Sequence, residues 1–99
     1  MLDIRKTTEN ATVTIALEGR LDTLTAPMLE KELLSSLEGA DSLVMDFEKL
    51  DYISSAGLRV LLSAQKTMSR RGGMKLRNVN ATILEIFDVT GFADILTIE

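Results

Sequence analysis

Hydrophobic and polar residues alternate in the first part of the chain with the period of a strand that buries one face. Residues 2–5 and residues 12–18 both show this alternation, with Val13, Ile15 and Leu17 as the apolar positions of the second segment. Residues 7–10 between them are polar and few enough for a hairpin loop. The sequence therefore predicts two antiparallel strands at the start of the fold.

The apolar spacing becomes helical after Gly19. Thr23 and Thr25 are candidate helix caps, and Pro27 suits a first helical turn. A helix ending at Gly39 would bury one side, made of Met28, Leu29, Leu33, Leu34 and Leu37. The same signals predict a second helix from Ser54 to about residue 70, and a third that is capped by Asn80 and ends at Gly91.

Three more strands are predicted, over residues 43–47, 74–79 and 95–98, with a loop over residues 48–52. Helical crossovers between these strands imply parallel pairs, so the fold class is α/β with a mixed sheet that opens on an antiparallel hairpin. Because polar residues interrupt the strands, we expect the helices mainly on one face. The 99 residues, 45% of them hydrophobic, fit a single domain over residues 1–99.

Composition excludes several classes of function. The chain has no Cys and no His, which removes disulfides, thiol nucleophiles, histidine triads and ordinary zinc sites, and we expect neither an enzyme nor a cofactor. Its 11 basic and 15 acidic residues give a net charge of -4, which argues against nucleic acid as a partner. The apolar runs are far too short for membrane insertion, and no export signal is visible, so we expect a cytoplasmic protein.

Two weak chemical patterns carry little weight. Ser63 and Lys66 have the Ser-x-x-Lys spacing of some acyl-transfer enzymes, but they fall within a predicted helix and lack the companion motifs. Four carboxylates could in principle hold a cation but do not have the spacing of a calcium loop: Asp22, Asp46, Glu48 and Asp51. Neither catalysis nor metal binding is predicted from them.

The segment 51–58 is the most informative part of the chain. Ser54 and Ser55 lie where a loop leads into a helix, so either hydroxyl can cap the helix. Gly57 in the first turn costs about 1 kcal/mol of helix propensity, which indicates a close backbone approach, such as a partner surface. A helix N-terminus also tolerates added negative charge, so the residues alone leave both capping and phosphorylation open.

Three segments in order are similar to one known family. Residues 54–58, preceded by Asp46-Phe47 and residues 50–53, resemble the signature of bacterial anti-sigma factor antagonists, the stand-alone STAS domains. Residues 17–22 resemble the family's second strand and turn, and residues 86–92 resemble its late helix and turn. The resemblance covers nearly the whole chain and implies the same mixed sheet with helices beside it.

The resemblance also implies a partner switch. An unmodified antagonist binds an anti-sigma factor, which frees the sigma factor, and the anti-sigma factor is itself a serine kinase that phosphorylates the antagonist and ends the binding. The matching acceptor here is Ser55, and a phosphatase would reverse the modification. The implied contact residues are Asp22, Thr23, Ser54, Ser55, Ala56, Gly57 and Leu58.

The chain departs from the family pattern beside the acceptor. Ser54 stands where the family often has Asp, which adds a second candidate hydroxyl, and Ala56 stands where Ser or Thr is frequent. Some STAS domains serve other assemblies without being modified. The alternative function is therefore a structural subunit of a transporter or a stress-sensing scaffold.

Overall fold

The computed structural model describes residues 2–99, which form five strands, three α-helices and one short 3-10 turn over Phe92–Asp94. The elements follow the predicted order. In chain order they are β1 (Leu2–Glu9), β2 (Thr12–Leu21), α1 (Ala26–Ser36), β3 (Ser42–Ile53), α2 (Ser55–Met68), β4 (Met74–Arg77), α3 (Ala81–Thr90) and β5 (Thr97–Ile98).

The five strands form one sheet in the order β1-β2-β3-β4-β5. The pair β1 and β2 is antiparallel, and every other neighbouring pair is parallel, with one helix in each crossover. This confirms the predicted mixed sheet and its opening hairpin.

The hydrophobic core lies on one face of the sheet. The register aligns Val13 with Leu43 and Met74 in one row, and the next buried row is Ile15, Met45 and Leu76. These side chains form a single cluster with buried residues of all three helices, whereas the alternate strand positions are half-buried or exposed. The prediction that the helices cover mainly one face is therefore confirmed.

The first connection is shorter than predicted. β1 continues to Glu9, and the hairpin turn consists of Asn10 and Ala11, whose φ angles are 50° and 66°. Positive φ at both central residues is the geometry of the tight two-residue turns that match strand twist. Residues 7–9 are polar because they are exposed on an edge strand, so the predicted loop over residues 7–10 was wrong at residues 7–9 and correct at Asn10.

The predicted loop over residues 48–52 was also wrong, because β3 runs on to Ile53. Its pairing with β2 shifts register twice, between Ala16 and Glu18 and between Gly19 and Arg20, and β3 carries the extra residue each time. Phe47, Leu50 and Ile53 are consequently buried three residues apart. These bulges break the alternation of period two on which the strand prediction depended.

The ends of α3 agree with the predicted capping signals, whereas α1 ends at Ser36 instead of Gly39 and buries a narrower face than predicted. Asn80 accepts a hydrogen bond from the Ile83 amide at 2.9 Å, and Gly91 ends α3 with φ 82°. In α1, however, Met28 and Leu34 are 46% and 75% exposed. Within residues 2–99, no helix has the length and apolar character needed to cross a membrane.

Candidate functional site

The carboxyl ends of β2 and β3 lie side by side and lead into the two segments that the sequence analysis selected. Leu21 and Ile53 are register partners, and the Ser54 amide donates a hydrogen bond to the Leu21 carbonyl at 2.9 Å. The chain turns through residues 22–25 after β2 and enters α2 after β3. The sheet therefore brings Asp22 and the two serines to the same edge.

Ser54 is the residue that caps α2. Its backbone is extended, with φ -98° and ψ 176°, and its hydroxyl oxygen accepts a hydrogen bond from the Gly57 amide at 3.4 Å. Its carbonyl accepts the first helical hydrogen bond, from the Leu58 amide, at 2.9 Å. One of the two adjacent hydroxyls is thus engaged by the helix itself.

Ser55 is the first residue of α2, and its side chain is exposed. Within residues 2–99 its hydroxyl makes no hydrogen bond. The two adjacent serines, which the sequence did not separate, therefore differ in structure. The capping role falls on Ser54, and the accessible hydroxyl belongs to Ser55.

Gly57 is buried against the ends of the two strands rather than open to a partner. A Cβ atom at this position would lie 2.7 Å from Cγ of Leu21 and 2.8 Å from Cγ1 of Ile53. The close backbone approach predicted from Gly57 is therefore an internal contact. Leu58 is also buried, so these two predicted contact residues support the surface from beneath. At this end of α2, Ser55 is exposed, and Ser54 and Ala56 are half-buried.

The turn after β2 is held by Asp22 and Thr25. Asp22 Oδ1 accepts hydrogen bonds from the amides of Leu24 and Thr25, both at 3.1 Å. The Thr25 hydroxyl accepts from the Asp22 amide and donates to the Arg20 carbonyl, each at 2.8 Å. The predicted capping of α1 by Thr23 or Thr25 is not what the structure shows: Thr23 is exposed, and the Thr25 side chain makes no cap hydrogen bond.

These hydrogen bonds hold the pKa of the Asp22 carboxyl below its ordinary value. The Thr25 amide contributes most, partial desolvation opposes the shift, and the Thr25 hydroxyl and the Leu24 amide add to it. Hydrogen bonds donated to a carboxylate favour its charged form. The edge of the sheet therefore carries a fixed negative charge at neutral pH.

Arg20 and Tyr52 belong to the same edge and were missed by the sequence analysis. The two residues are register partners, and the Arg20 guanidinium lies 4.4 Å from the centroid of the Tyr52 ring. Arg20 Nε is 3.9 Å from Asp22 Oδ2. The pairing of Arg20 with Tyr52 depends on the second bulge in β3, for which the sequence carries no recognisable signal.

The other residues selected as candidates for catalysis or metal binding do not come together in one site. Ser63 and Lys66 are both exposed on α2, and Ser63 lines a groove of about 260 Å³ between α1 and α2 whose floor is apolar. Asp46 is bound elsewhere, by the Asn78 side chain and the Glu48 amide, both at 3.0 Å. In the part of the chain from residue 2 onward, no three acidic side chains group in a way that could hold a metal ion.

Comparisons with known proteins agree with this architecture. The family model described as "Mlab, STAS domain" matches residues 4–97. The anti-sigma-B factor antagonist of Bacillus subtilis is 31% identical over 98 residues, which cover 98% of this chain and 88% of that protein.

Two solved structures have the same fold. An anti-sigma factor antagonist from Mycobacterium paratuberculosis superposes with a TM-score of 0.90 at 17% identity, over 99% of this chain and 85% of that one. The Bacillus cell fate determinant SpoIIAA in its phosphorylated form gives a TM-score of 0.76 at 19% identity, over 98% and 91%.

We expect Gly57→Ala to lower the free energy of unfolding by up to about 2 kcal/mol, because the added methyl group overlaps Leu21 and Ile53 at a cost of about 1–3 kcal/mol. The overlap must outweigh the gain of about 1 kcal/mol in helix propensity. Urea unfolding followed by circular dichroism measures the change. Ser63→Ala, an exposed substitution in the same helix, is the matched control and should leave stability unchanged or slightly higher. A stabilised Gly57→Ala variant would contradict the internal contact.

The Asp22 hydrogen bonds should stabilise the fold in a pH-dependent way. Because the pKa of Asp22 is lower in the folded state, their contribution is complete above the unfolded value of about 4 and is lost as the pH falls through the folded pKa. Urea unfolding of wild type and Asp22→Ala should therefore differ more at pH 7 than at pH 2.5. An equal difference at both pH values would show that the carboxylate charge contributes nothing.

Proposed function

The chain belongs to the STAS domain family, and we propose that it is an anti-sigma factor antagonist controlled by phosphorylation of Ser55. The unmodified domain binds an anti-sigma factor that is also a serine kinase, and this binding releases the sigma factor. Phosphate on Ser55 ends the binding, and a phosphatase restores it. A relative whose sequence matches almost the full chain is named an anti-sigma factor antagonist, and this supports the role.

The difference between the two serine hydroxyls is the observation that carries the proposal. A kinase needs a hydroxyl that it can reach and align, and the Ser55 side chain is exposed at the first position of α2. The Ser54 hydroxyl accepts a hydrogen bond from the Gly57 amide, so its use as an acceptor would disturb the helix cap. Ser55 is therefore the preferred acceptor even though Ser54 is adjacent to it.

The modification is an ordinary phosphoryl transfer from ATP. A bond forms between Ser55 Oγ and the γ-phosphorus, while the bond from the γ-phosphorus to its bridging oxygen breaks and releases ADP. The hydroxyl proton passes to a base in the kinase. Nothing in this step requires a catalytic group from the antagonist itself.

The fold can carry this phosphate without losing its structure. The group brings a charge of about -1.5 to -2, which the amides and dipole at the start of a helix stabilise. SpoIIAA, a neighbour with the same fold, has been solved in a phosphorylated form. The free domain should therefore stay folded after the transfer.

The same charge opposes docking to a partner. Burial of the phosphate requires its desolvation, and the Asp22 carboxylate on the same edge adds repulsion. A loss of binding by a hundredfold to a thousandfold needs about 2.7–4 kcal/mol. One buried phosphate is sufficient for a change of this size.

The acceptor is tested by incubating the protein with an anti-sigma factor kinase from the same genome and ATP, followed by intact mass measurement. We expect wild type to gain one phosphate, Ser55→Ala to gain none, and Ser54→Ala, the matched control, to gain one. The cap hydrogen bond in the control is long, so Ser54→Ala should cost only about 0.5–1 kcal/mol of stability.

Three results would contradict the proposal. Phosphorylation of Ser55→Ala but not of Ser54→Ala would move the acceptor to Ser54. Failure of wild type to gain phosphate from a kinase that modifies another antagonist would remove the switch for that pair. Equal binding of the unmodified and the Ser55-phosphorylated forms would favour the structural-subunit alternative.

A further inference from the structure

We propose that Arg20 forms an ion pair with a carboxylate side chain of the anti-sigma factor and so acts as a recognition residue for that partner. This inference rests on the proposed function and adds a contact to it. It concerns a residue outside the segment that carries the modification.

Arg20 is at the right place in the fold. It is the second-last residue of β2, beside Tyr52, and their neighbours Leu21 and Ile53 lead directly to Asp22 and Ser54. The bulge between Gly19 and Arg20 is what sets Arg20 beside Tyr52. Side chains alternate along a strand, so Arg20 lies on the sheet face opposite the helices, and a partner that extends from the Ser55 end of α2 over the Asp22 turn meets it there.

The Arg20 side chain is both exposed and restrained. It retains 55% of its side-chain accessibility, while the Tyr52 ring lies 4.4 Å from its guanidinium carbon and Asp22 Oδ2 lies 3.9 Å from its Nε. An aromatic face and a carboxylate thus hold a long side chain that would otherwise be mobile. Because part of its freedom is already lost, binding through Arg20 costs less conformational entropy.

The Arg20 guanidinium still has N–H groups that can donate hydrogen bonds to a partner. Its separation from Asp22 Oδ2 is longer than a hydrogen bond, and Asp22 Oδ1 is occupied by the amides of Leu24 and Thr25. Arginine has five N–H donors in a planar fork and no acceptor, and this geometry fits a carboxylate. The complementary group on a protein partner is therefore Asp or Glu.

Charge arrangement makes the contact selective. Arg20 is a cation beside Asp22 in a chain with a net charge of -4. A partner surface with a carboxylate opposite Arg20 and a basic side chain opposite Asp22 matches both residues. A surface with these two charges exchanged would place a like charge opposite each of them. The pair therefore selects among partners and fixes the orientation of docking.

Isothermal titration calorimetry with the unphosphorylated protein and the anti-sigma factor kinase tests the inference. We expect Arg20→Met, which keeps the apolar stem, to weaken binding about tenfold, or about 1.4 kcal/mol. Arg20→Lys should recover only part of this loss, because lysine keeps the charge but not the fork. Tyr52→Leu should weaken binding by a smaller factor, since it removes the ring that orients Arg20.

Arg70→Met is the matched control, because it makes the same change in net charge beyond the far end of α2. It should bind like wild type. Equal affinities of Arg20→Met and Arg70→Met would overturn the role of Arg20 while wild-type binding upholds the proposed function. An Arg20 effect seen only with ADP or ATP present would assign the contact to a nucleotide phosphate and overturn the carboxylate. No binding by wild type would overturn both proposals.

Discussion

The pairing of β2 with β3 up to their last residues is the constraint on which the site depends. Leu21 and Ile53 are the last register partners, and one further hydrogen bond joins the Ser54 amide to the Leu21 carbonyl. This contact determines where the chain leaves the sheet in both segments. The Asp22 turn and the start of α2 are therefore held together by main-chain geometry, and Gly57 lets the helix approach closely enough to close the junction.

Two adjacent serines gain different chemistry from this junction. Ser54 still has the extended backbone of the strand and turns its hydroxyl to the helix, whereas Ser55 already belongs to α2 and is exposed. The same few residues therefore separate a hydroxyl that caps the helix from one that is accessible. Negative charge added to Ser55 meets a helix terminus that stabilises it in the free domain and an Asp22 carboxylate that opposes its burial.

Much of this architecture could be predicted from the sequence because its signals are local. Alternation in β2, the cap at Asn80 and the glycine that ends α3 act within a few residues, and the structure confirms each of them. The errors arose where position in the fold overrides local pattern. The polar residues at the end of β1 still form a strand because β1 lies at the edge of the sheet. In β3, two bulges interrupt the alternation of buried and exposed residues.

The candidate site shows the same division. The serine segment and Asp22 could be selected from the sequence, but the roles of Gly57 and Arg20 could not, because both depend on which residues of β2 and β3 become neighbours. The sequence does not distinguish a glycine that makes room for the Leu21 side chain from a glycine that makes room for a partner protein. The contact of Arg20 with Tyr52 likewise joins residues that are far apart in the chain.

The proposed switch is tested most directly by comparing the affinity of the anti-sigma factor for the unmodified and the Ser55-phosphorylated protein, with thermal unfolding measured on both forms. We expect the phosphate to weaken binding at least about a hundredfold while the melting temperature changes by only about 2–3 °C. Equal affinities for the two forms, or a loss of binding explained by unfolding of the phosphorylated domain, would contradict the proposed switch.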